Sequence, residues 1–221
     1  HRLAACGLVA TKGRLRAAFS FCANAWPGRR EPLPCALPAA TPRASSRWPA
    51  IVGIPATWAD LMHLRPATID DCPLILDLIR ELADFERLLH EVEATAEALE
   101  VHLFGAQPRA EALIVEADGA VAGFALCFHN FSTFLGKPGL YLEDLYIRPA
   151  FRGRGYGRQV MQALARIALE RGCGRFEWWV LDWNAPAIEF YRGLGAQPMS
   201  DWTVQRVSGE ALRALAGSTG A

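Results

Sequence analysis

Residues 62–217 predict an α/β domain with a mixed, twisted sheet flanked by helices, after a segment with no folded pattern. Three observations carry this. Two stretches repeat apolar residues at three- and four-residue steps, Leu74–Phe85 and Val160–Leu169, which is the stripe of a helix packed on a core. Short apolar, partly β-branched runs lie between and after them, as strands do. Strand and helix signals alternate, and that order builds layered α/β domains.

Met62–Pro66 reads as the first strand. Thr68 or Asp70 can cap the helix that carries Leu74, Ile75, Leu78, Ile79, Leu82 and Phe85, because a side-chain oxygen accepts from free N–H groups. Thr95 opens a second helix with Leu99, Leu103 and Phe104 as its apolar side, ended by Gly105 and Pro108. Ala112–Glu116 and Val121–Phe128 flank Asp118-Gly119, a two-residue hairpin signal. A loop with Ser132, Gly136, Pro138 and Gly139 leads to the strand Leu140–Ile147. A glycine-rich turn and a long helix ending at Gly172 follow. The strand Phe176–Leu181, a short helix Ala185–Tyr191 stopped by Gly193, a final strand Trp202–Val207 and a terminal helical turn Glu210–Leu215 complete the series.

The 221 residues balance 23 basic against 23 acidic side chains, which argues against bulk binding of nucleic acid. No apolar run approaches a membrane span. The zero hides an asymmetry: residues 1–61 hold a net +6 and seven of the 14 prolines, so the rest is net −6. Residues 1–61 read either as an Arg-rich, acid-poor targeting segment or as a stretch upstream of a start at Met62. Both readings leave the segment disordered and outside the domain, and the protein is expected in the cytoplasm. Cys6, Cys22, Cys35, Cys72, Cys127 and Cys173 form no CxxC pair, and no His clusters with acids or cysteines at metal-ligand spacing. No metal is expected.

The segment Arg152-Gly153-Arg154-Gly155-Tyr156-Gly157, followed by Arg158, carries the strongest chemical signal. Glycines let a backbone turn tightly and approach a ligand. N–H groups at a helix start, with the helix dipole, can cradle a pyrophosphate. The same segment could be a plain glycine-rich turn with solvated arginines. It is neither the dinucleotide fingerprint nor a P-loop.

"LYLEDLYIRPAFRGRGYG" followed by "VLDWNAPAIEFYRGLGA" resembles the GNAT acyltransferases. Within them it is most similar to the spermidine/spermine-type diamine acetyltransferases and the thialysine N-epsilon-acetyltransferase branch. The likeness spans about Met62–Leu215 and includes "LRPATIDDCPLILDLIRELADFE". It implies the GNAT fold, acetyl-CoA as donor, a primary amine as acceptor, and a homodimer. It also implies pyrophosphate on Arg152–Arg158, the pantetheine arm beside Leu145, Tyr146 and Ile147, and coenzyme contacts from Asn184, Ala185, Pro186 and Ala187.

Resemblance places Glu143 as general base and Asp144 as a substrate-holding acid. Alternation puts these neighbours on opposite strand faces, though a bulge could bring them to one cleft. Tyr191 matches the general acid; a phenol is neutral at pH 7 and can donate a proton. A strand N–H near Leu145 could stabilise the oxyanion. Phe85, Glu86, Glu177, Trp178, Trp179 and Asp201 match walls of the amine pocket. Polyamine-specific members carry an aspartate and a tryptophan where this chain has Ser132 and Phe134, so a smaller, lysine-like amine is expected. The alternatives are a polyamine or protein-amine acceptor, or an acyl-CoA-binding module without catalysis.

Overall fold

The computed structural model describes residues 62–217. The expectation of disorder over 1–61 lies outside the described residues. Five strands, β1 (His63–Pro66), β2 (Glu111–Ala117), β3 (Ala120–Ser132), β4 (Lys137–Ile147) and β5 (Arg175–Trp178), line up in chain order. The first four run antiparallel; β5 lies parallel to β4. Helices are α1 (Cys72–Phe85), α2 (Ala96–Leu99, continued by a π turn Glu100–Phe104), α3 (Tyr156–Glu170), α4 (Ala185–Arg192) and α5 (Gly209–Leu215).

Two apolar clusters hold these elements. On one sheet face Ile75 and Leu78 of α1 and Leu103 pack on Ile114, Phe124, Leu126 and Tyr146. On the other, Val160, Leu164 and Ile167 of α3 pack on Leu113, Val115, Cys127, Leu140 and Leu142. Helices therefore cover both faces of the sheet. The β2–β3 hairpin turns at Asp118 (φ 53°) and Gly119 (φ 74°). Left-handed backbone at both central positions matches the twist of the flanking strands, as the dipeptide predicts. Arg148, at the end of β4, grips Glu81 of α1 with its Nη2 2.6 Å from Oε1.

The chain departs from the expected elements in three places. Trp202–Val207 forms no strand: the stretch runs exposed, with Trp202 72% and Val204 53% accessible. A strand needs a hydrogen-bonded neighbour, and no sheet edge meets it here. β5 stops at Trp178 and does not reach Leu181, because β4 diverges there. β3 runs on to Ser132, so that residue belongs to a strand and not to a loop; its Oγ accepts from Leu135 N at 3.3 Å. No helix of the described residues is long and apolar enough to cross a membrane.

Candidate active site

A one-residue irregularity in β4 organises the centre. Leu126 pairs with Asp144 and Cys127 with Leu142, so Glu143 is the extra residue of a bulge. Before it, Leu140 and Leu142 face the α3 side. After it, the partner of Asp144 (Leu126) and Tyr146 lie in the α1-side cluster. The parity of the strand switches at Glu143, and Tyr141, Glu143 and Asp144 all look toward α1. Simple alternation would separate the two carboxylates; the bulge unites them.

Their electrostatics reflect that proximity. The Asp144 carboxyl is pushed up to about 7, first by burial and then by the charges of Glu143 and Glu86. Glu86, at the C-terminal end of α1, is itself raised by burial. Three carboxyls thus share one cleft, where a cation would be attracted and a proton accepted.

Beyond the bulge, β4 and β5 part. Their pairing ends at Leu142 with Trp178, so residues 143–147 turn a backbone edge into an open gap. Tyr191 of α4 approaches this gap from the α3 side, its ring 5.0 Å from that of Trp178 and 5.2 Å from that of Phe190. Burial raises the Tyr191 phenol, with the Glu86 charge adding to the effect. The Glu86 charge thus adds to the upward shift of both Asp144 and Tyr191.

At the mouth, Gly153 (φ 76°) and Gly155 (φ 82°) take left-handed backbone, which glycine adopts without strain. Gly155 precedes α3 and no side chain caps that helix, so its first N–H groups remain available to an anion. Tyr156 is buried in the α3-side core, leaving only its N–H for the cradle. Gly157 is overlain by Phe190. Arg154 is paired with Asp118, and the exposed Arg158 lies near Gly193. Arg152 folds back: its Nε donates to Ile147 O at 2.8 Å, and its guanidinium covers the rings of Phe85 at 4.8 Å and Tyr146 at 5.6 Å. The uncapped N–H groups and the free edge of β4 fit a diphosphate and an amide-bearing arm respectively.

The remaining expected residues divide. Asn184 caps α4 through Ala187 N, 3.3 Å from its Oδ1, with Ala185 and Pro186 opening that helix. Glu177 and Trp179 stand on the same face as Tyr141, whereas Trp178 points the other way, into the α3-side cluster. Asp201 is exposed on the stretch after α4 and makes no hydrogen bond or ion pair among the described residues. Ser132 and Phe134 sit at the tip of the β3–β4 hairpin; the six residues from Lys137, which pairs with Ser132, to Glu143 span about 20 Å. Within this chain they are remote from the carboxyls. Tyr141, stacked between Phe128 and Trp179, and Trp183, 6.1 Å from the Phe85 ring, escaped the reading of the sequence. Tyr141 lies two residues before Glu143, and that alternation was its available signal.

Among the described residues no group of His, Cys, Asp and Glu could hold a metal ion. Cys72 and Cys127 are buried, and burial pushes the Cys127 thiol up to about 12, which removes it as a nucleophile near neutral pH.

The model of the Acetyltransferase (GNAT) family matches residues 76–196. Thialysine N-epsilon-acetyltransferase of Mus musculus is 40% identical over 166 residues, covering 70% of this chain and 97% of that protein. L-ornithine N5-acetyltransferase of Arabidopsis thaliana is 33% identical over 198 residues, covering 69% of this chain and 87% of that protein. Among solved structures, an integron cassette protein from the mobile metagenome of V. cholerae superposes with a TM-score of 0.60 at 24% identity, over 70% of this chain and 97% of that one. The chain belongs to the GNAT family of acetyltransferases.

Proposed function

We propose that this protein moves the acetyl group of acetyl-CoA to the primary amine of a small diamine or lysine-like amino acid, by direct attack in a ternary complex. What supports this is the bulge that turns Glu143 and Asp144 to one face of β4 where its pairing with β5 ends, with the Tyr191 ring packed on Trp178 beside that gap. Two relatives named for a thialysine and an ornithine acetyltransferase support an acceptor with an amino-acid head.

Acetyl-CoA supplies the activated acetyl thioester. An amine of unperturbed pKa about 10.4 is almost wholly protonated at pH 7. Glu143 accepts its proton, directly or through water, and Asp144 and Glu86 hold the cation beforehand. Tyr191, kept protonated by burial and by Glu86, donates to the departing thiolate. In this reading the N–H of Leu145, on the strand edge beside the gap, donates to the oxyanion. The backbone of Leu145–Ile147 receives the pantetheine arm. The loop Arg152–Arg158 and the Asn184–Ala187 helix start receive the rest of the coenzyme. Arg152 leaves the Ile147 carbonyl as that arm arrives. A homodimer belongs to this reading, as in similar family members.

One observation favours a second assignment of the base. Burial and the charges of Glu143 and Glu86 push the Asp144 carboxyl up to about 7, and a base works best when matched to the operating pH. A thiol-release assay with acetyl-CoA against thialysine, lysine, putrescine, spermidine and short peptides tests the whole. A small amine is expected to win; peptides winning would overturn the acceptor class, and silence across the panel would leave only coenzyme binding. Glu143→Gln should slow turnover most at low pH. If Asp144→Asn does so instead, the base is Asp144. Tyr191→Phe should lower kcat by about 10²-fold or more with coenzyme affinity kept, and an undiminished kcat removes it from the mechanism.

A further inference from the structure

We propose that Arg152 is a latch on the coenzyme lane. In the free protein its side chain lies across the open edge of β4, and it leaves that edge for a diphosphate bound at the neighbouring loop. One half of the coenzyme thereby clears the way for the other. The proposal rests on the coenzyme part of the acetyl-transfer reading and on none of its proton transfers.

The backbone shows which carbonyl the latch covers. Arg148 N donates to Ala122 O at 2.9 Å, so Arg148 turns its polar groups toward β3. Those groups alternate from side to side along a strand, so Ile147 and Leu145 point theirs the other way, into the gap. No strand meets them there, because the β4–β5 pairing ends at Leu142 and Trp178. An extended, amide-bearing arm laid along this edge pairs with these groups, as a further strand would. Arg152 Nε donates to Ile147 O at 2.8 Å. The chain's own side chain therefore occupies the arm's place on that carbonyl.

The hold is shallow, and it sets Arg152 apart from its neighbours. Arg148 is paired with Glu81 and Arg154 with Asp118. Arg152 makes no ion pair among the described residues. Besides the carbonyl it has the ring faces of Phe85 at 4.8 Å and Tyr146 at 5.6 Å, and such contacts are weak at an exposed site. A guanidinium on a phosphate makes paired, charge-assisted bonds, each about twice as strong as a neutral one. Arg152 also stands first in the loop that leads to the uncapped start of α3, where that phosphate belongs. Exchanging carbonyl for phosphate is downhill, and it uncovers Ile147 O and the Phe85 face in one movement.

The test takes the coenzyme apart and reads binding, not turnover. The fragments are ADP, for the diphosphate, and 4′-deoxypantetheine, whose missing hydroxyl leaves room for the terminal oxygen of ADP. Their dissociation constants for the full chain are measured by NMR titration at fixed ionic strength, each alone and with the other saturating. ADP should tighten the arm about fivefold or more, and the arm should tighten ADP by the same factor. Arg152→Gln should bind the arm without ADP as tightly as the wild type does with it, and should lose the coupling. Phe85→Leu, which removes one ring under the guanidinium, should shift the arm in the same direction; it serves if Arg152→Gln fails to fold. A wild-type arm affinity that ADP leaves within about twofold overturns the proposal. So does coupling that persists in Arg152→Gln, or a variant that loses ADP affinity with arm affinity unchanged, which makes Arg152 a phosphate ligand only. Equal weakening of both fragments would make its role structural and overturn it too. If neither fragment binds the wild-type chain, the coenzyme reading falls and the latch goes with it.

Discussion

Asp144 illustrates what a single residue's surroundings do to its chemistry. Its folded value near 7, against an ordinary 3.8, comes from burial reinforced by two neighbouring carboxylates. Between those values the native state binds a proton that the unfolded chain has released. Stability is therefore undiminished below about pH 4 and falls as the pH rises toward 7. Asp144→Asn should raise the melting temperature at pH 8 by several degrees, about 2–4 °C per kcal/mol for a domain of this size, and give no gain at pH 4; an equal shift at both pH values would contradict the burial of a charge. The sequence displayed Glu143, Tyr191 and the glycine loop because their neighbours form recognisable strings. It did not display Tyr141 or Trp183, whose importance lies in which rings they touch across strands and loops. Arg152 was legible as a cationic loop residue, but its turn back onto Phe85 and Ile147 depends on tertiary contacts.

At the scale of elements, β3 and β4 set the geometry of the cleft, and β3 carries Gly123 where it pairs with the end of β4. A Cβ there would stand 2.0 Å from the Tyr146 carbonyl oxygen. That atom is backbone in a paired strand and cannot swing aside. Gly123→Ala is expected to destabilise by about 3 kcal/mol, read as a lower urea midpoint at constant slope; an unaltered midpoint would mean the strands separate more easily than drawn. Periodicity revealed α1, α3 and the first four strands, since each buries one face on a cluster it helps to form. It failed for Trp202–Val207, where alternating apolar side chains imitate a strand but no neighbouring edge supplies hydrogen bonds. Pattern reports what a segment could pair with, and topology decides whether a partner is present.

Across the whole described chain, two cores on opposite sheet faces are tied by ion pairs at the rim. Arg65 bridges Asp71 at 2.7 Å and Glu116 at 2.7 Å, joining β1 to β2 and to the start of α1. The Arg65 guanidinium holds the Asp71 carboxyl down at about 2, assisted by the backbone and side chain of Thr68. A lowered carboxyl value stabilises the fold above about pH 4, and that contribution is lost as the pH drops through 2. Asp71→Asn should flatten the acid limb of a stability-versus-pH curve between those values; a limb as steep as wild type would exclude this pair as its source. A chain beginning at Met62 should keep the melting temperature and turnover of the full chain, and loss of either would assign residues 1–61 a part in the domain.

The bulge at Glu143 has an evolutionary corollary. One residue supplies both the odd count that reverses strand parity and a carboxylate of the cleft. Deleting its codon would make Leu142 and Asp144 ordinary neighbours across Cys127 and Leu126, leaving Asp144 turned toward α1 and Leu145 and Ile147 toward α3, so the strand would lose a carboxylate and its bulge but no core face. Loss of this one residue would therefore spare the sheet and strip the cleft, so any selection on strand length here should act through turnover and not through folding.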